Sequence, residues 1–308
     1  MVPVLPVVSA GAQHHAIEQA HVPAQVFAMG DGRGDGRWSD GELPVHPVSL
    51  EAFDIDATSV TNDDFARFVA ATGYRTEAEV FGYSAVFHLA FTGTREDVLG
   101  RPPQTPWWLG VRGADWRHPG GPGSDVTRLG DHPVVHVSWN DAAAYCRWAR
   151  RLLPTEAQWE AASRGGLDGA RYPWGDELGG RDGEPGWRVN IWQGVFPTEN
   201  TVEDGFLTSA PVRTFEPNSY GLWQTVGNVW EWCADVWAED TYAIDQQRGT
   251  VHEPAGPTAR SEDAVRVMRG GSYLCHDSYC NRYRNAARSS NTPDSSMGNV
   301  GFRTVASR

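Results

Sequence analysis

Residues Arg269–Arg284 read RGGSYLCHDSYCNRYR, which places two of the chain's 4 cysteines, Cys275 and Cys280, five positions apart. On a helix, residues five apart differ by about 140° in direction and roughly 7.5 Å in rise. On a strand they lie roughly 16 Å apart and face opposite ways. Neither regular structure brings the sulfurs together, so a cooperating pair requires CHDSYC to be a turning loop, as Asp277 and Ser278 permit. In a closed loop three readings compete: a small-loop disulfide, a two-thiolate metal site and a redox dithiol. Zinc wants four ligands, and His276 alone does not complete a tetrahedron, whereas two thiolates without harder ligands suit soft Cu(I). Arg269, Arg282, Arg284 and Arg288, if turned inward, would lower the thiol pKa. Spacing alone leaves disulfide or redox pair level with metal.

The rest of the 308-residue chain bounds these readings. A net charge of -13 argues against nucleic-acid and anionic-membrane partners, which need a basic footprint. No run of 18 apolar residues announces a transmembrane helix. The first basic residue is Arg33, so the N-terminus lacks the charged start of a secretory signal. Residues 1–24 are expected to form a loose tail, with a cleaved signal as the second option. Few cysteines in a long chain point to a reducing compartment, the cytoplasm. The 14 Trp, 34 Gly and 20 Pro suggest much irregular chain pinned by large aromatic plates, of which one or two line a site.

Helix signals are confined to three places. Thr61 caps a segment with Asp63 and Asp64 in its first turn, Phe65, Phe68 and Val69 on one face, and Gly73 as its stop. Ser138 caps a helix over Asn140–Arg150. Thr155, with Gln158 three residues on, caps another that ends at Gly165. Strands are expected over Val26–Met29 and Val45–Ile55. Gly82–Asp131 is rich in Gly and Pro and carries Trp107, Trp108 and Trp116, which predicts a functional surface or poor order. Short strands and loops fill the rest. With no repeat and no linker, residues 25–308 read as one α+β domain, irregular and low in regular secondary structure.

RGGSYLCHDSYCNRYR, AARSSNTPDSS and NVGFR resemble the C-terminal signature of the formylglycine-generating enzymes. The likeness extends upstream through HPVVHVSWNDAAAYCRWA, LPTEAQWEAASRGG, YPWGDE, NIWQGVFPTENTVEDGF, APV, GLWQTVGNVWEW and FAMGDG, over Val26–Arg303. It implies a C-type-lectin-like fold. It also implies an oxidoreductase that uses O2 and an external reductant to convert the cysteine of a Cys-x-Pro-x-Arg segment, in an unfolded sulfatase or peptide, to formylglycine. Cys275 and Cys280 would hold Cu(I), to which the substrate thiol adds as a third sulfur. Ser272 would lie beside the copper and Trp230 would line the O2 pocket, while Tyr279 and Asn299 would contact pocket or peptide.

The same resemblance implies structural Ca2+ at Asn190, Ile191, Asp204 and Phe206, and at Gln224, Gly227, Val229 and Glu231. Thr304 stands where relatives often carry a cysteine that pairs with the one at Cys146, so Cys146 is expected to be a free buried thiol. Asn285 and Ala162 replace a second such pair. Cys233 reads as a small buried hydrophobe. Two other functions stay in view. One is a catalytically silent binding module on the same scaffold, which would lack the copper pair. The other is an iron-dependent sulfoxide synthase, which needs a multi-histidine motif that His14 and His15 alone do not make.

Overall fold

Each helix forecast from its cap forms where the cap places it in the computed structural model, which describes residues 15–180 and 186–307. Helix α1 (Asn62–Thr72) opens on a reciprocal capping box between Thr61 and Asp64 and stops at Gly73 in the left-handed region. Helix α2 (Glu77–Phe81) uses the same device, Thr76 with Glu79, and was not foreseen. Helix α3 (Trp139–Ala149) starts at Ser138, and α4 (Glu156–Arg164) starts at Thr155. A fifth helix, α5 (Thr241–Arg248), lies in the region read as strands and loops. Among the described residues no helix is long and apolar enough to cross a membrane.

Among the described residues the strands are short and gather into five small sheets. One runs β1 (Gln19–Val22), β4 (Phe53–Asp56), β16 (Val305–Ala306), β8 (Arg151–Leu152). A second runs β12 (Val251–His252), β3 (His46–Leu50), β2 (Gln25–Met29), so the single strand expected over Val45–Ile55 is two. The third is β5 (Tyr83–Phe87), β7 (Trp108–Arg112), β6 (Val98–Gly100), which turns the Gly82–Asp131 region into an ordered sheet. A hairpin joins β9 (Gly194–Val195) to β10 (Glu199–Asn200). The central sheet runs β14 (Arg288–Asn291), β13 (Arg266–Arg269), β11 (Trp230–Val236), β15 (Val300–Gly301).

The expected tail needs correction for its described part. Gln19–Val22 pairs antiparallel with β4, and His15 bonds Asp56 at 2.7 Å and Tyr145 at 3.2 Å. Apolar Ala20 and Val22 are buried, which ties the strand down. Residues 1–14, including His14, lie outside the described residues.

The core spans the central sheet and α1, α3 and α4. Phe65 stacks on Tyr145 with rings 6.1 Å apart, and Trp159 and Trp232 are fully buried. A charged stratum runs through it. Arg269 donates to Glu156 at 2.6 Å and to Glu160 at 2.5 Å, and Arg288 donates to Glu156 at 2.6 and 3.0 Å. Burial opposes charge on Glu156, but Arg288 and Arg269 outweigh it and pull the carboxyl down to about 2. These pairs fix α4 against β13 and β14, the two strands that flank the cysteine loop.

Candidate active site and metal-binding segments

Strand β13 ends at Arg269, and Gly270 and Gly271 turn the chain out of the sheet with positive φ. A Cβ on Gly271 would sit 2.6 Å from the Arg282 carbonyl, so the two limbs of the loop approach as only glycine allows. The Cys275 N–H then donates to the Ser272 carbonyl at 2.8 Å. The His276 carbonyl accepts from the N–H groups of Tyr279, Cys280 and Asn281 at 3.0, 2.9 and 3.1 Å. CHDSYC is therefore the turning loop that cooperation between the cysteines requires. The sulfurs lie 2.7 Å apart, buried, and both cysteines are free.

The two thiols are not equivalent. Burial raises Cys275, and its hydrogen bond to Cys280 raises it further. Burial opposes charge on Cys280 too, but the Cys275 hydrogen bond, the Arg282 N–H and the Arg282 guanidinium together hold it below the ordinary thiol value. The two sulfurs are thus shifted in opposite directions. Of the four arginines considered from sequence, Arg282 alone acts here, while it is itself paired with Asp40 at 2.6 and 2.8 Å. Arg269 and Arg288 point into the core, and Arg284 is held by Glu42 at 2.8 Å. The same early segment reaches the loop again, with Arg37 on the Tyr279 carbonyl and the Asp35 carbonyl accepting from Asn281 at 3.2 Å.

The sulfurs line a cavity of about 190 Å³. Ser272, Trp230, Tyr279 and Asn299 all line it, as do Trp107 and Trp108. Ser272 Oγ accepts from Asn299 Nδ2 at 2.9 Å and from Leu274 N–H at 3.3 Å, which leaves its hydroxyl hydrogen to donate. Asn299 Oδ1 is buried without a partner. Trp230 is fixed by its N–H on the Asn299 carbonyl at 2.9 Å. Tyr279 stacks on Phe196, 4.3 Å between rings, and meets Trp107 edge-on. Trp107 and Trp108 were visible in sequence as aromatic punctuation, but nothing local tied them to cysteines more than 160 positions away.

Two soft thiols with no hard ligand beside them fit Cu(I). Among the described residues no group of three or more His, Cys, Asp or Glu is placed to hold a metal. The first calcium set also fits its ion. Asn190 Oδ1 is buried and unpartnered, and burial raises the Asp204 carboxyl, whose partners are the N–H groups of Ile191 and Phe206 and the Gln193 amide. Gln193 also donates to the Ile191 carbonyl, so its amide serves the oxygens a hard cation would take.

The second set fits only in part. Gln224 Oε1 is buried and unpartnered, Val229 is buried, and the Gly227 N–H donates to the Gly270 carbonyl at 2.8 Å. Glu231 is otherwise engaged. Ser59 and Arg303 donate to Oε1 at 2.8 and 2.9 Å, and Trp159 and Arg303 donate to Oε2, both at 2.7 Å. Four donors occupy its two oxygens, and Arg303 is its ion partner in this arrangement.

Cys146 is the free buried thiol expected on α3, and Cys233 is fully buried in β11. Thr304, in the place of the missing cysteine partner, bonds Asp56 through N–H and Oγ1 at 2.9 and 2.7 Å. Asn285 accepts from Ser163 Oγ at 2.8 Å.

Comparison with known proteins accords with this arrangement. The sulfatase-modifying factor enzyme 1-like domain family matches residues 6–308. A "Formylglycine-generating enzyme" from Streptomyces coelicolor is 61% identical over 287 residues, covering 92% of this chain and 88% of its own. An "Inactive C-alpha-formylglycine-generating enzyme 2" from Bos taurus is 44% identical, covering 93% and 87%. The solved structure of PvdO from Pseudomonas aeruginosa shares the fold at 21% identity, with a TM-score of 0.67 over 98% of each chain. With the matched domain spanning nearly its whole length, the chain belongs to the sulfatase-modifying factor (formylglycine-generating enzyme) family.

Proposed function

We propose that this chain oxidises the cysteine of a Cys-x-Pro-x-Arg segment, in an unfolded sulfatase or peptide, to formylglycine. O2 is the oxidant, and an external thiol reductant supplies two electrons and two protons. The net change balances: the substrate thiol, one O2 and two hydrogen equivalents become the aldehyde, one hydrogen sulfide and one water. The observation that carries the reading is the meeting of Cys275 and Cys280 at 2.7 Å in the wall of an aromatic cavity. Copper bound there supplies the one-electron chemistry that side chains lack.

The chain's own residues supply the rest. Cys275 and Cys280 would hold the metal. Ser272 presents a hydroxyl donor to the substrate sulfur or to O2, and Asn299 Oδ1 offers an acceptor to a peptide N–H. Trp107, Trp108 and Trp230 keep water from the reacting sulfur. A second cavity, of about 410 Å³, shares Trp108, Asn291 and Met297 with the first and carries Asp294 on its wall. The substrate arginine lies four residues past the cysteine, within about 14 Å along an extended chain, and Asp294 is a suitable counter-ion for it. Ca2+ bound by Asn190, Ile191, Asp204 and Phe206 would be structural. Four free cysteines suit a reducing compartment such as the cytoplasm.

The test is direct. Purified protein, loaded with Cu(I), is given O2, dithiothreitol and a Cys-x-Pro-x-Arg peptide, and mass spectrometry follows exchange of sulfur for oxygen at the peptide cysteine. Aldehyde that accumulates with repeated turnover is the expected result. No aldehyde from copper-loaded protein overturns the reading in favour of a silent binding module; the 44% identical relative is named as inactive.

A further inference from the structure

The β5–β7–β6 sheet carries an apolar surface that the chemistry just described leaves unused. Along β7, alternate residues share a face, so Trp108, Gly110 and Arg112 point one way while Leu109 and Val111 are buried behind. Trp108 is a wall of both cavities. The register pairs Phe87 with Trp108, Ala85 with Gly110, and Tyr83 with Arg112. The face therefore leaves the thiol cavity at Trp108 and runs outward over Ala85 and Gly110.

Bulky apolar side chains flank that path, and they are exposed. Tyr83 is 47% exposed, Phe81 50% and Leu99 50%. Leu99 falls at the register shift between β6 and β7. A Cβ on Gly110 would meet only Leu99 Cβ, Tyr83 Cδ2 and the Gly100 carbonyl, at 3.9–4.0 Å. Gly110 thus floors a trough whose walls are Tyr83 and Leu99. Phe81 and Tyr83 also line the second cavity, so trough and cavity are continuous. Exposed apolar surface of this kind marks an interaction site, and its continuity with the substrate cavities names the occupant.

We infer that this trough is an exosite that takes an apolar side chain of the unfolded substrate polypeptide, in the stretch that follows the arginine of the motif. The inference rests on the proposed function for the direction of the chain: cysteine in the first cavity, arginine by Asp294, and the following residues over Gly110. Its physical basis is burial of about half of one apolar side chain against Tyr83 and Leu99, which corresponds to about a fivefold gain in affinity.

Binding to the copper-free protein separates the two ideas. Fluorescence anisotropy is read with two labelled peptides whose cysteine is replaced by serine. One ends just after the arginine, and the other continues for six residues that include two leucines. The longer peptide is expected to bind about fivefold more tightly. Gly110→Val places a branched side chain in the trough, in ordinary contact with Leu99 and Tyr83, on a strand that favours it, and is expected to remove that advantage while sparing the short peptide. Leu99→Ser should act in the same direction. Equal affinities for the two peptides overturn the inference, as does a Gly110→Val effect of equal size on both. Concentration-dependent dimerisation that Gly110→Val abolishes also overturns it, since it assigns the face to a second copy of the chain. If the peptides differ as expected and no aldehyde forms in the turnover assay, the exosite stands and the oxidation falls.

Discussion

The backbone N–H of Trp192 donates to the carbonyl of Cys275 at 3.1 Å. One bond thus joins the Asn190–Gln193 segment, where the first proposed calcium set begins, to a cysteine of the proposed copper pair. Asn228 reinforces the junction, with its N–H on the Asn190 carbonyl and its carbonyl accepting from Tyr273, at 2.8 and 2.9 Å.

Asp204→Asn, or removal of Ca2+ by chelation, should therefore weaken the thiol site from a distance. Supporting groups behind metal ligands are worth roughly 10- to 100-fold in affinity. A fall of about tenfold in Cu(I) affinity is expected, read by competition with a chromogenic Cu(I) chelator. Unchanged affinity in calcium-free protein would sever this link.

Cys275→Ser and Cys280→Ser should each abolish Cu(I) binding and turnover, because one soft ligand does not hold the ion. Cys146→Ser should spare both. It replaces a buried thiol on α3 with a hydroxyl in apolar surroundings and should cost about 1–3 kcal/mol in urea unfolding.

The Glu231–Arg303 pair gives a separate stability prediction. Arg303→Met strands a carboxylate that is almost wholly buried and should destabilise the fold by about 3–5 kcal/mol. Adding Glu231→Gln should recover part of that loss, because the stranded charge is gone. A double-mutant cycle measures the coupling directly.

The acid dependence of stability should have a maximum. Burial, and then the neighbouring Glu156 charge, push Asp235 up to about 7 from its ordinary 3.8. Between those values the native state keeps a proton that the unfolded chain gives up, so stability falls as pH rises from about 4 to 7, by up to about 1.4 kcal/mol per unit. Glu156 acts in the opposite sense: its depressed value supplies stability above 4.5 that is lost as pH falls toward 2. Burial pushes Asp141 up to about 7 as well, so Asp235→Asn should lessen the decline between pH 4 and 7 without abolishing it. An unaltered slope in a pH series of urea melts would assign that decline to other groups.

Much of this architecture was legible in sequence, and the reason is local. Thr61, Ser138 and Thr155 announce helices because a cap is satisfied within four residues of itself. The strands are two to seven residues long and their pairing is remote, as when Trp230 meets Val300, so alternation had little length in which to show. The cysteine loop was readable as a turn that had to close, but its closure depends on Gly271 approaching Arg282 and on Asp40, some 240 positions earlier. Arginine roles were the hardest to read. Arg269, Arg284 and Arg288 share a stretch with the cysteines, yet Arg269 and Arg288 turn to Glu156 on α4 and Arg284 turns to Glu42. Glu231 has a remote partner of the same kind: Arg303, 72 residues away.

The segment around Asp35–Glu42 and the cysteine loop are separated by most of the polypeptide, yet Asp40 on Arg282 and Glu42 on Arg284 bind them together. During synthesis the early half of this contact waits for a partner made 242 residues later. A nascent chain halted before residue 280 has no complete thiol site, whatever else of it has folded, and a protease cut between Asp31 and Glu42 should silence a finished molecule without touching either cysteine.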